Sequence, residues 1–276
     1  DQLVGILVEF QPDLVNPISG ETIDDPETSG DGQFLTSDDL DLSFIQYQGV
    51  SKCTSFLVDK PPHNSDYFLL QMLAVKNYYN SISNHSQSDP ALDFDIGVID
   101  HIFQLDNNMK YYSTSDSQIG LLFSESIDKV NIATASGNLS LKTLDNISQF
   151  DSIQDDILYV VFHAGLGQES STDFDPTIYD IRSAFVDDTM LDAGWIVENN
   201  INNGIVMPET LNMIYYDVIE DAIPTNAEGS DLENIYCNQQ FGMTGLLAYL
   251  LGYSFGFPPL HNVENGQPRV GIFDLM

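Results

Sequence analysis

Positive charge is scarce in this sequence. The 276 residues carry 8 Lys and Arg against 42 Asp and Glu, a formal net charge of -34. A surface so short of cations repels phosphate backbones and anionic lipid alike, which excludes nucleic acid and acidic membrane surfaces as partners. It also repels itself at low ionic strength. The plainer reading is a protein kept soluble in salty water, with a dedicated cation-binding surface as the alternative.

Cysteine is scarcer still. Cys53 and Cys237 are far apart and lack the C-x-x-C spacing of zinc or redox sites. They are either one disulfide of an exported protein or two separate buried thiols. The histidines His63, His85, His101, His163 and His261 show no ligand spacing, and neither G-x-S-x-G nor a Cys with a partner His stands out. Only residues 243–260 approach the length of a membrane span. They contain Gly245, Gly252, Gly256, Pro258 and Pro259 and lack flanking Lys or Arg, so they read as a buried core helix without membrane insertion. No basic stretch precedes the first apolar run, so no signal peptide is expected at that end.

What is present suffices for a packed core, since 42% of the residues are hydrophobic. One domain over residues 1–276 is expected, because no linker divides the chain. Residues 3–10 are a branched apolar run and predict a buried strand. Residues 12–42, rich in Gly, Asp, Pro and Thr, predict a long acidic surface loop inserted after it, ending in a hairpin around Gln33 to Thr36. His63 to Asp66 supply a helix N-cap, after which Phe68, Met72, Val75 and Tyr79 fall on one helical stripe. Phe94, Ile96, Val98 and Ile102 alternate as one face of a strand, with Asp95 and His101 opposite. Phe123, Ile127 and Val130 predict a second helix over residues 121–132.

Residues 157–162 form an uninterrupted apolar run, predicted as a central strand buried on both faces. Its carboxyl end leads into His163, Ala164, Gly165, Gly167 and Glu169, a position where open sheets place binding groups. Glu169, Asp173 and Asp175 there are candidate calcium ligands, against a turn of solvated acids. Residues 180–186 suggest a further strand, and 187–204 read as loop around Trp195. Residues 211–218 read as an edge strand and 222–238 as loop.

The stretch from Phe241 to Leu260 organises the rest. From Gly245 to Phe257 it has no charge, so as a helix it must be buried. Its spacing matches the H-E-x-x-H-x-x-G frame of metzincin zinc peptidases, where two imidazoles one turn apart hold the ion and Glu activates its water. Gly252, Gly256, Pro258, Leu260, Gly271, Asp274, Leu275 and Met276 stand where such a helix and its methionine turn require them. With the His163–Glu169 loop and the early helix from Asp66, this resembles the catalytic domain of the immune inhibitor A family of secreted zinc metallopeptidases. The resemblance implies an α/β (α+β), zincin-like fold: a twisted mixed sheet packed with helices and a buried active-site-type helix near the C-terminus. It further implies an exported, secreted or cell-surface bacterial protein whose domain is truncated after Met276.

The ligand chemistry that the resemblance calls for is missing. The first ligand slot holds Tyr249, the general-base slot Leu250, the second ligand slot Tyr253, and the slot of the following Asp holds Pro259. Phenols are poor zinc ligands without strong activation and more readily hydrogen-bond across a closed pocket. No zinc site and no catalytic residue is therefore expected, and no cofactor beyond calcium. The reading is an inactive peptidase-like scaffold or binding module, taking a protein or peptide ligand in the former cleft. The alternatives are a hydrolase completed by a missing C-terminal part and a calcium-stabilised adhesion module.

Overall fold

The computed structural model describes residues 2–12, 14–15, 22–23, 25, 27–30, 32–37, 59–83, 92–137, 139–169, 177–216 and 236–257, with the backbone alone at 14–15, 22–23, 212–216 and 236–240. Its centre is the first strand, β1 (Gln2–Glu9), apolar on both faces because it is flanked on both edges and covered on both sides. Val4, Ile6 and Val8 enter one core cluster, and Leu3 and Leu7 the other. A strand with this burial cannot shift register by one residue without exchanging its two faces.

A two-stranded hairpin, β2 (Leu14–Val15) and β3 (Thr22–Ile23), lies apart from the main sheet. Helix α1 (Ser65–Ser83) then crosses to β4 (Asp95–Gln104), which pairs parallel to β1. Asn64 caps α1, its side chain accepting the amides of Asp66 and Tyr67. Phe68, Met72, Val75 and Tyr79 all point into the core, as their spacing requires. A short helix α2 (Met109–Tyr112) and the long α3 (Asp116–Thr134) lead to a hairpin, β5 (Ser140–Lys142) and β6 (Ile147–Gln149), which extends the sheet beyond β4. The central β7 (Ile157–Gly167) returns parallel to β1. β8 (Ala184–Val186), helix α4 (Ala193–Asn199), β9 (Gly204–Tyr216), β10 (Tyr236–Phe241) and helix α5 (Thr244–Ser254) complete the order.

The sheet runs β10-β9-β7-β1-β4-β5-β6, with β8 also paired to β9. Its four central strands are parallel and its margins antiparallel, which makes the protein mixed α/β. Residues of α1 and α5 pack in one cluster, and α3 with Trp195 and Ile196 of α4 in the other. The chain therefore leaves β1 towards one face and β7 towards the opposite face. In such doubly wound sheets the carboxyl ends of these two neighbouring strands form the natural crevice.

Several expectations need correction. Residues 12–42 are not simply a surface loop. Among its described residues Asp25, Thr28, Ser29, Phe34 and Leu35 are buried, and those from 27 to 37 form a strap held at the carboxyl ends of the strands by hydrogen bonds to Asp180, Glu9 and Glu209. Phe34 stacks edge-on against Phe68 with ring centroids 5.4 Å apart. The turn-rich composition misled because this strap takes its hydrogen bonds from side chains instead of from a ladder. For the same reason Gln33 to Thr36 form no hairpin. Residues 187–204 contain α4, whose Asp192 cap accepts the amides of Gly194 and Trp195. β9 is not an edge strand: β10, which begins within the span read as loop, covers it.

Strand β7 carries a bulge, the pairing with β9 slipping between His163 and Leu166. Gly165 sits there at φ +92°, and a Cβ would lie 2.4 Å from Met109 Cε and 3.2 Å from Ser29 Oγ. The glycine is thus required by the bulge. Gly165→Ala should cost about 2–4 kcal/mol in urea unfolding, whereas Gly137→Ala, at φ +78° in open space, should cost about 1 kcal/mol. Equal losses would show that the bulge accommodates a side chain.

Candidate functional site

Two phenols stand on the face of α5 that the sequence compares with a zinc-binding helix. Tyr249 and Tyr253 hydroxyls hydrogen-bond to one another, and their rings meet edge-on with centroids 5.1 Å apart. Tyr253 also packs against Phe185 of β8. Burial, and then the bond to Tyr249, pushes the Tyr253 phenol above its ordinary range. Leu250, in the base position, is buried in the core. Pro259 lies outside the described residues.

The polar centre lies elsewhere, at the carboxyl ends of the parallel strands. Glu209, on β9, is 2% exposed and yet carries a carboxyl group. Its Oε1 accepts the Leu35 amide at 2.8 Å and His63 Nδ1–H at 2.6 Å, and its Oε2 accepts the Gly165 amide at 3.1 Å. Three donors from three separate segments thus converge on one group, which is what a buried carboxylate needs. The neighbouring bulge amide, Leu166 N–H, is taken by Ser29 Oγ at 2.8 Å. Glu9 accepts the Phe34 amide at 3.0 Å and Asp180 the Ser29 amide at 2.7 Å. Three carboxylates therefore fasten the strap by its backbone.

This network continues to the amino end of α5. The His63 ring lies 4.4 Å from that of Tyr67, and its Nε2 faces the Asp59 main-chain oxygen at 3.3 Å. Gln71 donates to Asp59 at 3.3 Å and accepts from Thr244 at 2.6 Å. Asp59 also takes the Met243 amide, where a negative charge suits the helix dipole, while burial raises its carboxyl. The arrangement has the parts of a catalytic dyad without the access. His63 is 0% exposed and both its ring nitrogens are engaged, which fixes the orientation of the ring.

His163 points to the other face. Its Nδ1–H donates to the Ala164 carbonyl at 2.9 Å, and Phe10 packs against the ring. Nε2 makes no hydrogen bond within the described residues, although the Ile181 main chain is close. Burial holds this imidazole down to about 4. Of the candidate calcium ligands, Asp173 and Asp175 lie outside the described residues. Glu169 is exposed as a residue, but its carboxyl folds back over Gly167 and accepts the Ser183 amide. Burial of that carboxyl raises it, against the Ser183 hydrogen bond and the pull of Arg182. Among the described residues no group of three or more His, Cys, Asp or Glu is arranged to hold a metal ion. Nor is any described helix long and apolar enough to cross a membrane.

The pairing of His63 with Glu209 escaped the sequence, which gave His63 only a loop position. One signal was available: Glu209 is the sole charge between Ile205 and Leu211, and a lone acid in a buried strand needs a partner. The pairs of Lys76, Lys110, Lys129, Lys142 and Arg182 with acids are all partly exposed and contribute little individually.

Compared with known protein families, curated proteins and solved structures, the chain matches none.

Two outcomes follow from this geometry. Glu209→Gln removes the charge and turns an amide towards backbone donors, so it should cost about 3 kcal/mol in urea unfolding and speed hydrogen exchange at the Leu35 and Gly165 amides. A loss below about 1 kcal/mol would deny Glu209 its central role. The second concerns pH. Unfolded, His163 takes up a proton near its ordinary 6.5, and folded only near 4. The stability it contributes is thus intact above pH 6.5 and drains as pH falls towards 4, by about 3 kcal/mol in total. Between pH 7 and 4 the wild type should lose that much more than His163→Leu; parallel curves would contradict the assignment.

Proposed function

We propose that this chain is a zincin-type, peptidase-like domain of an exported protein that has lost its catalytic centre and acts as a scaffold or binding module. The reading rests on the metzincin-like frame of residues 249–260 and on one observation above all. The two side chains in the ligand slots satisfy each other as a phenol pair, and the base slot is filled by a leucine belonging to the core.

Zinc hydrolysis needs ligands, an open coordination position and a base for the water proton. Tyr249, Leu250 and Tyr253 offer none of these in their present arrangement. Activation of a phenol as a ligand would require making it a stronger acid, and burial of Tyr253 acts in the opposite direction. The other buried histidines give no substitute, because His63 is enclosed and His163 has one nitrogen engaged by the main chain. The mixed sheet with a buried helix near its end accords with the proposal, although a sheet of this kind serves many functions. A peptide or protein partner suits such a domain better than a nucleic acid, given the net charge of -34.

Protein purified without chelators should contain zinc well below one ion per chain by elemental analysis. It should cleave unfolded casein no faster than a mock preparation, with or without chelator. Stoichiometric zinc together with chelator-sensitive cleavage would defeat the proposal.

A further inference from the structure

A hollow of about 270 Å³ opens at the amino-terminal edge of the sheet, the opposite end from the carboxylate-fastened strap. It lies beside the starts of β1 and β7, and the last turn of α5 closes one side. Phe94 and Leu251 are buried in its wall, and Phe255 adds a second aromatic ring. Asp155 and Asp156, in the turn that enters β7, stand at its rim, with Asn203 beside them. Asn200 donates to Asp155, fixing one carboxylate in place.

The electrostatic character of the hollow has two sources of negative sign and, among the described lining residues, none of positive sign. The two adjacent carboxylates of Asp155 and Asp156 are exposed to solvent. The carboxyl end of α5 brings the negative end of its dipole, and its last turn holds no basic residue. None of the described lining residues is Lys or Arg. Lys76, on the helix packed against this end of the core, is held by Asp93 at 2.9 Å. An anion is repelled here, and a purely apolar guest would leave the carboxylates unused. A cation with a flat or apolar body satisfies both parts, its charge between the acids and its body against the rings of Phe94 and Phe255.

We propose that this hollow is a binding site for an organic cation of amidinium, guanidinium or ammonium type. The site is independent of the inactive-peptidase reading, since it uses neither the phenol pair nor the strap.

Benzamidinium is the probe and benzamide its neutral counterpart of nearly equal shape. Titration followed by NMR or calorimetry should show benzamidinium binding at least about tenfold more tightly, with the preference weakening as salt is raised. Asp155→Asn/Asp156→Asn, exposed turn substitutions, should abolish the preference. Should that variant misfold, the comparison of the two probes on the wild type decides alone. No binding of benzamidinium at about 10 mM, or equal binding of benzamide, overturns the proposal. Blocked arginine amide set against blocked citrulline amide then identifies the source of the cation. Preference for arginine assigns the site to a peptide side chain, and selectivity confined to benzamidinium assigns it to a free small cation; both support the site.

Discussion

One buried carboxylate ties together parts of the chain that are otherwise unrelated. Glu209 sits on β9 beside the β7 bulge, and it accepts hydrogen bonds from the strap at Leu35, from the approach to α1 at His63, and from the bulge at Gly165. Each of these donors is itself nearly or wholly enclosed. Without an acceptor, two main-chain amides and an imidazole would be buried unpaired, at roughly 1–3 kcal/mol each. The bulge, the glycine it demands and the path of the strap follow from that single requirement. The other two fastenings, Glu9 to Phe34 and Asp180 to Ser29, extend the same solution along the strand ends.

What the sequence disclosed and what it hid divide along physical lines. Periodic burial was legible. The stripe of Phe68, Met72, Val75 and Tyr79 and the uninterrupted run into β7 meet the core as their spacing demands. Segments whose order comes from side-chain to main-chain bonding were not legible. The strap has no period because its amides are taken one at a time by distant carboxylates, 25 residues away for Phe34 and 174 for Leu35. β9 read as an edge because the partner that covers it, β10, is short and polar, with Asn238, Gln239 and Gln240 along it. Of the candidate site, the tyrosine pair could be anticipated from spacing alone, since residues four apart on a helix are neighbours. The His63–Glu209 pair could not, because its members are 146 residues apart.

The two ends of the parallel strands have opposite characters although both are lined by acids. At the carboxyl ends the carboxylates of Glu209, Glu9 and Asp180 face inward, where main-chain amides and the His63 imidazole donate to them. At the amino-terminal edge Asp155 and Asp156 are exposed at the rim of a hollow with an aromatic wall. Acidity as composition therefore does not say which carboxylates of this protein can meet a ligand. The distinction lies in whether main-chain amides reach the oxygens, and only the folded path of the chain decides it.

The same criterion explains why one polar centre persists while another, on the proposed reading, was replaced. A buried charge is tolerable only when its partners are complete, and an incomplete set costs more than an apolar substitute of similar volume. Glu209 has a complete set and remains. A metal-binding helix stripped of any one ligand is left with charged or strongly polar groups facing a low-dielectric cleft, so each further exchange towards an aromatic or aliphatic side chain lowers the free energy. Leu250, now 5% exposed, gains roughly 1.5–3 kcal/mol from its burial. The two phenols keep one hydrogen bond between them and pack their partly buried rings edge-on. On that reading, regaining an ion would require several reversals together, since a single polar replacement at Leu250 would leave an unpaired group in the core.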